Sequence, residues 1–280
     1  MYKLTIIPFN YFIKTRLKSK VQKISWGFVY FIPGIMLYLF ATDYDFSIRN
    51  ILMMMVGILL VNYIYENGYI ENDIVLTQKE KNPNLRIVGK QLANIRDNIK
   101  SIFFIRYVVI VFLIVFMGLL VSNIDDFILF IVVLLSLQLT FKIYNNIRNI
   151  FNLYLVLPLS YFRFYGFILP FVNDEYFLQF VLFTSLLYPL SKVLEFTRQP
   201  RYKLPRISLL IGNTDKFRVY YYLIVVFIFS LSFCLYEIPI LYLYISLYYL
   251  LFRLGTLLMI RKNKMIRDEI LKNTKSAYRE

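Results

Sequence analysis

Long, continuous apolar segments recur along the chain, and they constrain its fold more than any other feature. One of them, residues 108–121, reads VVIVFLIVFMGLLV and contains no polar side chain. A helix crosses a bilayer core of about 30 Å with roughly 20 mainly apolar residues, whereas transmembrane β-strands alternate between apolar and polar positions. With 59% hydrophobic residues, the chain is therefore predicted to be an all-α, polytopic transmembrane helical bundle.

Basic and acidic residues alternate in the connections between the apolar segments. Connections rich in Lys and Arg, such as residues 67–100, alternate with acidic turns, such as Asp125 and Asp126. Because basic loops stay in the cytoplasm, the alternation predicts eight spans with cytoplasmic N- and C-termini. We expect an integral protein of the prokaryotic cell (inner) membrane. The spans are placed at about 25–42, 48–66, 102–121, 127–144, 151–172, 176–195, 217–236 and 238–260.

The whole chain, residues 1–280, is predicted to form a single integral membrane domain. The connections divide it into a basic cytoplasmic lead-in, two long cytoplasmic loops with the features of an active site, and a cytoplasmic tail. These segments are residues 1–24, residues 67–101 and 196–216, and residues 261–280, respectively.

One stretch of the first long loop and one arginine of the third span are expected to contact the membrane surface. Within the first long loop, apolar Ile87, Leu92 and Ile95 lie among basic residues, which favours an amphipathic helix in the headgroup region. Arg106 lies near the start of the third span, and its long side chain is expected to extend towards the headgroups.

Composition limits the partners and the metals that this chain can use. The net charge of +15 suggests nucleic acid at first sight, but the basic residues fall in the predicted cytoplasmic loops, so no nucleic-acid partner is expected. There is no His and only one Cys, which excludes a His/Cys metal site and a disulfide framework. A bound metal would need carboxylate and amide ligands, and Mg²⁺ is the ion that fits such ligands.

The first polar cluster follows the second span. Asn62 and Glu66 are four residues apart and share one helix face. Acids near a membrane boundary need a partner, a metal or contact with water. The cluster is therefore either a Mg²⁺ and substrate site or a solvated interfacial loop. Its later members are Asn72, Asp73 and Glu80.

The second polar cluster follows the sixth span, where Glu195 is surrounded by basic residues. Arg offers bidentate hydrogen bonds to phosphate, so the cluster predicts a phosphate site, with contact to anionic headgroups as the alternative. Arg163, in the middle of a predicted span, is a functional candidate. The alternatives are pairing with a neighbouring helix and a span whose bounds are placed wrongly. The candidate phosphate ligands are Arg86, Lys142, Arg163, Arg198, Arg201, Lys203 and Arg206, with Asn62 and Glu66 lining the site.

In this layout the chain resembles the UbiA superfamily of intramembrane prenyltransferases, which carry Asp-rich motifs after their second and sixth helices. Asn72, Asp73 and Glu80 match the first motif, N-D-x-x-D-x-x-x-D, while Leu76 replaces its middle Asp. Glu195 matches the start of the second motif, Gln199 takes the place of its second Asp, and Gly212 follows seventeen residues after Glu195. The family usually has nine helices, so the resemblance also allows a ninth.

The resemblance implies a transferase that moves a prenyl group, or a phosphosugar onto a polyprenyl phosphate, from a Mg²⁺-bound diphosphate donor. The expected site faces the cytoplasm, and the substrate is a membrane lipid or polyprenyl (di)phosphate in the bilayer. Asp73 and Glu195 would be catalytic, and Asn72, Asp73, Glu80 and Glu195 would hold the metal. The alternatives are a catalytically inactive UbiA-like protein for lipid binding or assembly, and a lipid-linked transporter.

Overall fold

The computed structural model describes residues 2–17, 19–79, 83, 85–147, 149–236 and 238–262, apart from the side chains of Tyr2 and Lys262. The described residues form helices and connecting turns without any strand, which confirms the all-α prediction. The helices are α1 (Tyr2–Ile6), α2 (Asn10–Arg16), α3 (Lys20–Ala41), α4 (Ile48–Ile70), α5 (Gly89–Asp97), α6 (Ile99–Leu120), α7 (Ile124–Asn146), α8 (Phe151–Tyr165), α9 (Asp174–Leu187), α10 (Pro189–Phe196), α11 (Pro205–Ile211), α12 (Thr214–Tyr236) and α13 (Ile240–Lys262).

Six of these helices are long and apolar enough to cross a membrane: α3, α4, α6, α7, α12 and α13. The chain is thus an integral membrane protein with a helical transmembrane bundle. Helices α9 and α10 are bent by 42° and add a seventh span if they cross as one. The predicted fifth span contains α8, whose 15 residues are fewer than the roughly 20 that a bilayer core requires. The eight spans and the orientation of the termini stay predictions.

Local sequence accounts for where several helices begin. Ser19 and Gln22 form a capping box at the start of α3, in which Gln22 N donates to Ser19 Oγ at 3.1 Å. Pro189 opens α10 directly after α9 has ended. Proline fits the first turn of a helix but cannot donate to the preceding turn, which explains the bend between α9 and α10.

The chain divides into two compact units, residues 1–181 and 182–280. In the first unit α4 is central, since it packs against α2, α6, α7 and α8. The side chains from Val61 to Gly68 are all buried. Gly68 allows the ring of Phe141 to approach the helix, because a Cβ at this position would lie 2.3 Å from Phe141 Cγ.

The N-terminal segment is part of this packed unit. Helix α1 packs against α6, and α2 packs against α4. Tyr11 and Phe12 are buried, and Tyr63 donates a hydrogen bond from its hydroxyl to the carbonyl of Ile6 at 2.6 Å. Residues 2–17 therefore do more than lead into the first span, because they cover the end of α4.

Helix α5 has the amphipathic pattern predicted in the first long loop, but its apolar face packs on protein and was expected in the headgroup region. Leu92 and Ile95 on α5, together with Ile87 just before it, are buried. They belong to an apolar cluster of the first unit that also contains Leu4, Tyr11, Ile70, Ile74 and Ile102. The apolar face of α5 thus packs on protein, while its basic residues, such as Lys90, are exposed.

In the second unit, α12 packs against both α13 and α10. Tyr222 holds α12 to the end of α9, since its hydroxyl donates to the carbonyl of Leu187 at 2.8 Å. The same tyrosine ring stacks on Tyr249 of α13. Three helices are therefore fixed around one buried aromatic side chain.

Candidate functional site

Asp73 lies in a π-helical turn, Glu71–Val75, that continues α4, and it is the centre of a buried polar network. The residue is 3% exposed, and both of its carboxylate oxygens have partners. Oδ1 accepts hydrogen bonds from Arg16 Nη2 at 2.9 Å and from Asn72 Nδ2 at 3.2 Å, and Oδ2 accepts one from the Tyr11 hydroxyl at 3.1 Å. Arg86 Nε lies 3.8 Å from Oδ1.

Two groups beside Asp73 have perturbed acidities. Burial raises the pKa of the Tyr11 phenol above its ordinary value, and the Asp73 carboxylate raises this pKa further. The phenol therefore stays protonated and donates to Asp73. Burial lowers the pKa of Arg86, and the like charge of Arg16 adds to this effect. The Arg16 guanidinium is thus an unfavourable like-charged neighbour of Arg86.

Arg163 of α8 contacts aromatic side chains of α2 and α4 close to this network. Its Nη1 donates to the Tyr69 hydroxyl at 3.1 Å, and its guanidinium lies 4.2 Å from the Phe12 ring centre and 4.3 Å from that of Tyr65. Arg16 stacks on the ring of Tyr69 at 4.2 Å. Tyr69 therefore links Arg163 to Arg16, and the prediction that Arg163 binds phosphate stays a prediction.

We refer to Arg16, Arg86, Arg163, Tyr69 and Asp73 as the arginine cluster. Arg16 and Arg86 both contact the Asp73 carboxylate, which leaves a formal excess of one positive charge at this carboxylate, and Arg163 joins the cluster through Tyr69. Arg16 Nη1 is buried and has no hydrogen-bond partner among the described atoms. A buried cation and an unsatisfied donor are both costly unless an anion or acceptor is supplied.

Glu66, which was predicted to line the site, is held by protein groups. Its Oε1 accepts from the backbone N–H of Phe12 at 2.9 Å, and its Oε2 lies 3.6 Å from Arg106 Nη2. Arg106 is 0% exposed and also donates to the Tyr63 carbonyl at 2.7 Å, the Asn67 side chain and the Thr5 carbonyl. The prediction that Arg106 extends to the headgroups is wrong, because the guanidinium connects α1, α4 and α6.

Asn62 has a similar packing role one turn earlier on α4. It donates to the Tyr30 hydroxyl at 2.6 Å and to the Ile58 carbonyl at 2.9 Å. Lys142, a predicted phosphate ligand, has an exposed side chain. Glu80, a predicted metal ligand, lies outside the described residues.

In the second unit, Glu195 forms a bidentate ion pair with Arg218. Arg218 Nε lies 2.6 Å from Oε1 and Nη2 lies 2.8 Å from Oε2, while Lys192 Nζ lies 3.3 Å from Oε2. Arg218 in turn contacts Asp215 at 3.3 Å. Arg218 was not among the predicted site residues, although its spacing of three from Asp215 on a helix is a signal for an ion pair.

The predicted phosphate ligands after Glu195 have different surroundings. Arg198 donates from Nη1 to Thr214 Oγ1 at 3.0 Å. Arg201 donates to the Tyr202 hydroxyl at 2.6 Å and stacks on that ring. Arg201, Lys203 and Arg206 are all exposed. None of these contacts involves Glu195, whose charge is balanced by Arg218 and Lys192.

The described residues around Asp73 and Glu195 do not fit a Mg²⁺ centre. Mg²⁺ needs free carboxylate oxygens, and all four oxygens of these two residues contact a donor or cation within their own unit. Among the described residues there is no group of three or more His, Cys, Asp and Glu side chains placed to hold a metal. The guanidiniums of Arg16 and Arg86 would also repel a dication at Asp73. Both carboxylates therefore serve as partners of protein cations.

Comparison with known proteins adds no relative to this description. No protein-family model, curated protein or solved structure matches the chain.

Proposed function

We propose that this integral membrane protein binds a prenyl or polyprenyl (di)phosphate through the arginine cluster, and that guanidinium groups replace Mg²⁺ in holding the phosphate. This is the lipid-binding alternative of the UbiA resemblance, with the site facing the cytoplasm as the charge pattern predicts. The observation that carries the proposal is that Arg16 and Arg86 share the single buried carboxylate of Asp73 while Arg16 Nη1 is buried without a partner among the described atoms.

Charge balance supports an anionic ligand. Ionisable side chains at membrane depth normally pair with each other or mark a substrate path. Asp73 compensates one of the two guanidiniums that contact it. A phosphate group would compensate the remaining charge and would provide an acceptor for Arg16 Nη1, which is buried without a partner among the described atoms.

The geometry of the arginines also suits a phosphate. Aromatic rings cover a face of Arg16, at Tyr69, and of Arg163, at Phe12 and Tyr65. A guanidinium whose faces are covered presents its N–H edge, and this edge forms the paired hydrogen bonds that phosphate oxygens accept. The cluster lies at the end of the continuous helical path Ile48–Lys79, which is where the headgroup of a membrane lipid would be found.

Ligand-induced stabilisation tests the proposal. A ligand that binds the folded state raises apparent stability by mass action. The melting temperature of the detergent-purified protein is measured with geranylgeranyl diphosphate, a polyprenyl phosphate or phosphoribosyl diphosphate, each in EDTA and in Mg²⁺. We expect a prenyl or polyprenyl compound to raise the melting temperature equally in both conditions. No shift with any compound would contradict the proposal.

A variant inside the arginine cluster and a matched variant outside it show where the compound binds. Arg163→Gln removes one cluster cation and should reduce the shift. Lys90→Gln removes an exposed cation from α5 and should keep it. Equal shifts in both variants would show that the compound binds elsewhere. A circular-dichroism spectrum of each variant checks that the helices are intact.

Prenyl or phosphosugar transfer is the second candidate function. The observation that favours it is the π-helical turn at Asp73, because such turns in helices frequently mark functional sites. In this case Asp73→Ala or Glu195→Ala should abolish turnover in a protein that still inserts into membranes. A melting-temperature shift that requires Mg²⁺ would favour this candidate over metal-free binding.

A further inference from the structure

Helix α11 lies within the predicted cytoplasmic loop 196–216, and it exposes two adjacent leucine side chains. Leu209 is 81% exposed and Leu210 is 87% exposed, although both lie on a helix of only 7 residues. Ile211, the last residue of α11, is buried at 4%. The helix is therefore held against its unit at its end, and two adjacent leucines project from it.

Basic residues accompany these leucines. Arg206 is three and four positions before Leu209 and Leu210, so it shares their side of the helix. Arg201 and Lys203 lie in the turn that precedes α11, and Arg201, Lys203 and Arg206 are all exposed. The spanning helix α12 begins at Thr214, only three residues after α11 ends. The leucine pair is thus close in sequence to a membrane boundary.

We propose that α11 and its preceding basic turn form an interfacial anchor, in which Leu209 and Leu210 enter the bilayer and Arg201, Lys203 and Arg206 bind anionic lipid headgroups. A short helix with apolar residues beside cations lies in the membrane interface and does not cross the bilayer. An anionic leaflet attracts each basic residue that lies near its surface, so the charge of the turn selects an anionic lipid surface as the partner. This inference does not depend on the arginine cluster or its ligand.

A probe at Leu209 tests the anchor in the full-length protein. Cys234 is first replaced by Ser, so that Leu209→Cys carries the single label, an environment-sensitive NBD group. The protein is placed in nanodiscs of phosphatidylcholine with or without phosphatidylglycerol, and some discs contain lipids with a nitroxide near the headgroup. With phosphatidylglycerol we expect emission at shorter wavelength and strong quenching by the nitroxide lipid.

Charge variants separate the anchor from general membrane attraction. In the labelled protein, the triple substitution Arg201→Gln, Lys203→Gln and Arg206→Gln should return the emission to longer wavelength and remove the quenching. The matched triple Lys20→Gln, Lys23→Gln and Lys90→Gln removes the same charge from exposed positions and should change neither signal.

Two outcomes would overturn the proposal. A label that stays in water in both lipid mixtures, without quenching, would show that the leucines do not enter the bilayer. A label whose emission depends on protein concentration in detergent, and not on anionic lipid, would show that a second copy of the chain covers the leucines. A melting curve of each variant confirms that the labelled proteins are folded.

Discussion

Arg16 and Asp73 are 57 positions apart in the sequence and form an ion pair, with 2.9 Å between Arg16 Nη2 and Asp73 Oδ1. The pair connects α2 to the π-helical turn after α4. Arg16, a basic residue of the N-terminal segment, therefore pairs with Asp73, the carboxylate to which the UbiA resemblance assigns a metal. This relationship is the basis of the metal-free binding site that we propose.

Replacing Arg16 tests the energetic role of this pair. Arg16→Gln should lower the free energy of unfolding by about 1–3 kcal/mol, because the buried Asp73 loses a charged hydrogen-bond donor while Arg86 still offsets part of its charge. Unfolding in detergent with increasing sodium dodecyl sulfate measures the change. Lys14→Gln on the same helix, at an exposed position, should have little effect. A double variant with Asp73→Asn should lose less than the sum of the single losses, and additivity would contradict the pairing.

Arg106 provides a test of the buried network around Glu66. Arg106→Met should destabilise the protein by about 3–5 kcal/mol, because it removes one partner of a buried ion pair and leaves Glu66 without its nearest cation. Thermal unfolding in detergent measures the loss. Lys100→Met, at an exposed position of α6, is the matched control and should change stability little. A variant with both Arg106→Met and Glu66→Gln should recover part of the loss. Equal effects of Arg106→Met and Lys100→Met would exclude a structural role for Arg106.

Gly68→Ala should also destabilise the first unit. The new Cβ would lie 2.3 Å from Phe141 Cγ, so the ring or the helix must shift, at a cost of about 1–3 kcal/mol. Gly27→Ala on α3 is the control, since no atom lies within 4 Å of its added Cβ. The control should be neutral or stabilising, because Ala favours a helix over Gly by up to about 1 kcal/mol. Melting temperatures of the two variants decide the comparison, and a higher value for Gly68→Ala would contradict the packing.

Because Arg218 binds Glu195 through two parallel hydrogen bonds, we expect that another cation at position 218 would not fully restore stability. Arg218→Lys keeps a cation but loses the two parallel hydrogen bonds to Glu195, and we expect a loss of about 1.5–3 kcal/mol. Chemical denaturation in detergent measures it. Arg261→Lys at an exposed position should be neutral. An unchanged midpoint for Arg218→Lys would mean that the bidentate geometry does not contribute to stability.

The sequence predicts those features of the fold that depend on local patterns. Continuous apolar runs predicted the transmembrane helices, and the spacing of Leu92 and Ile95 predicted the buried face of α5. The fifth span was placed as one long helix, but α8 ends at Tyr165. An apolar run alone does not show whether its residues continue as helix or turn back within the protein.

The contacts of the candidate site were less predictable, because they join distant parts of the chain. Asp73 and Arg163 stood out as polar residues in apolar surroundings. Arg16 did not stand out, since it is one of several cations near the N-terminus, and its role depends on α2 folding back onto α4. Tyr11 and Phe12, apolar residues between those cations, were the signal that this segment packs against the protein.

The most direct test of metal-free phosphate binding is the affinity of the nanodisc-embedded protein for radiolabelled geranylgeranyl diphosphate in EDTA, measured for the unmodified protein, Arg163→Gln and Arg261→Gln. We expect saturable binding without Mg²⁺, weakened about tenfold or more by Arg163→Gln, which corresponds to about 1.4 kcal/mol. Arg261→Gln should leave the affinity unchanged. Binding that appears only when Mg²⁺ is added, or equal affinity in all three proteins, would contradict the proposed site.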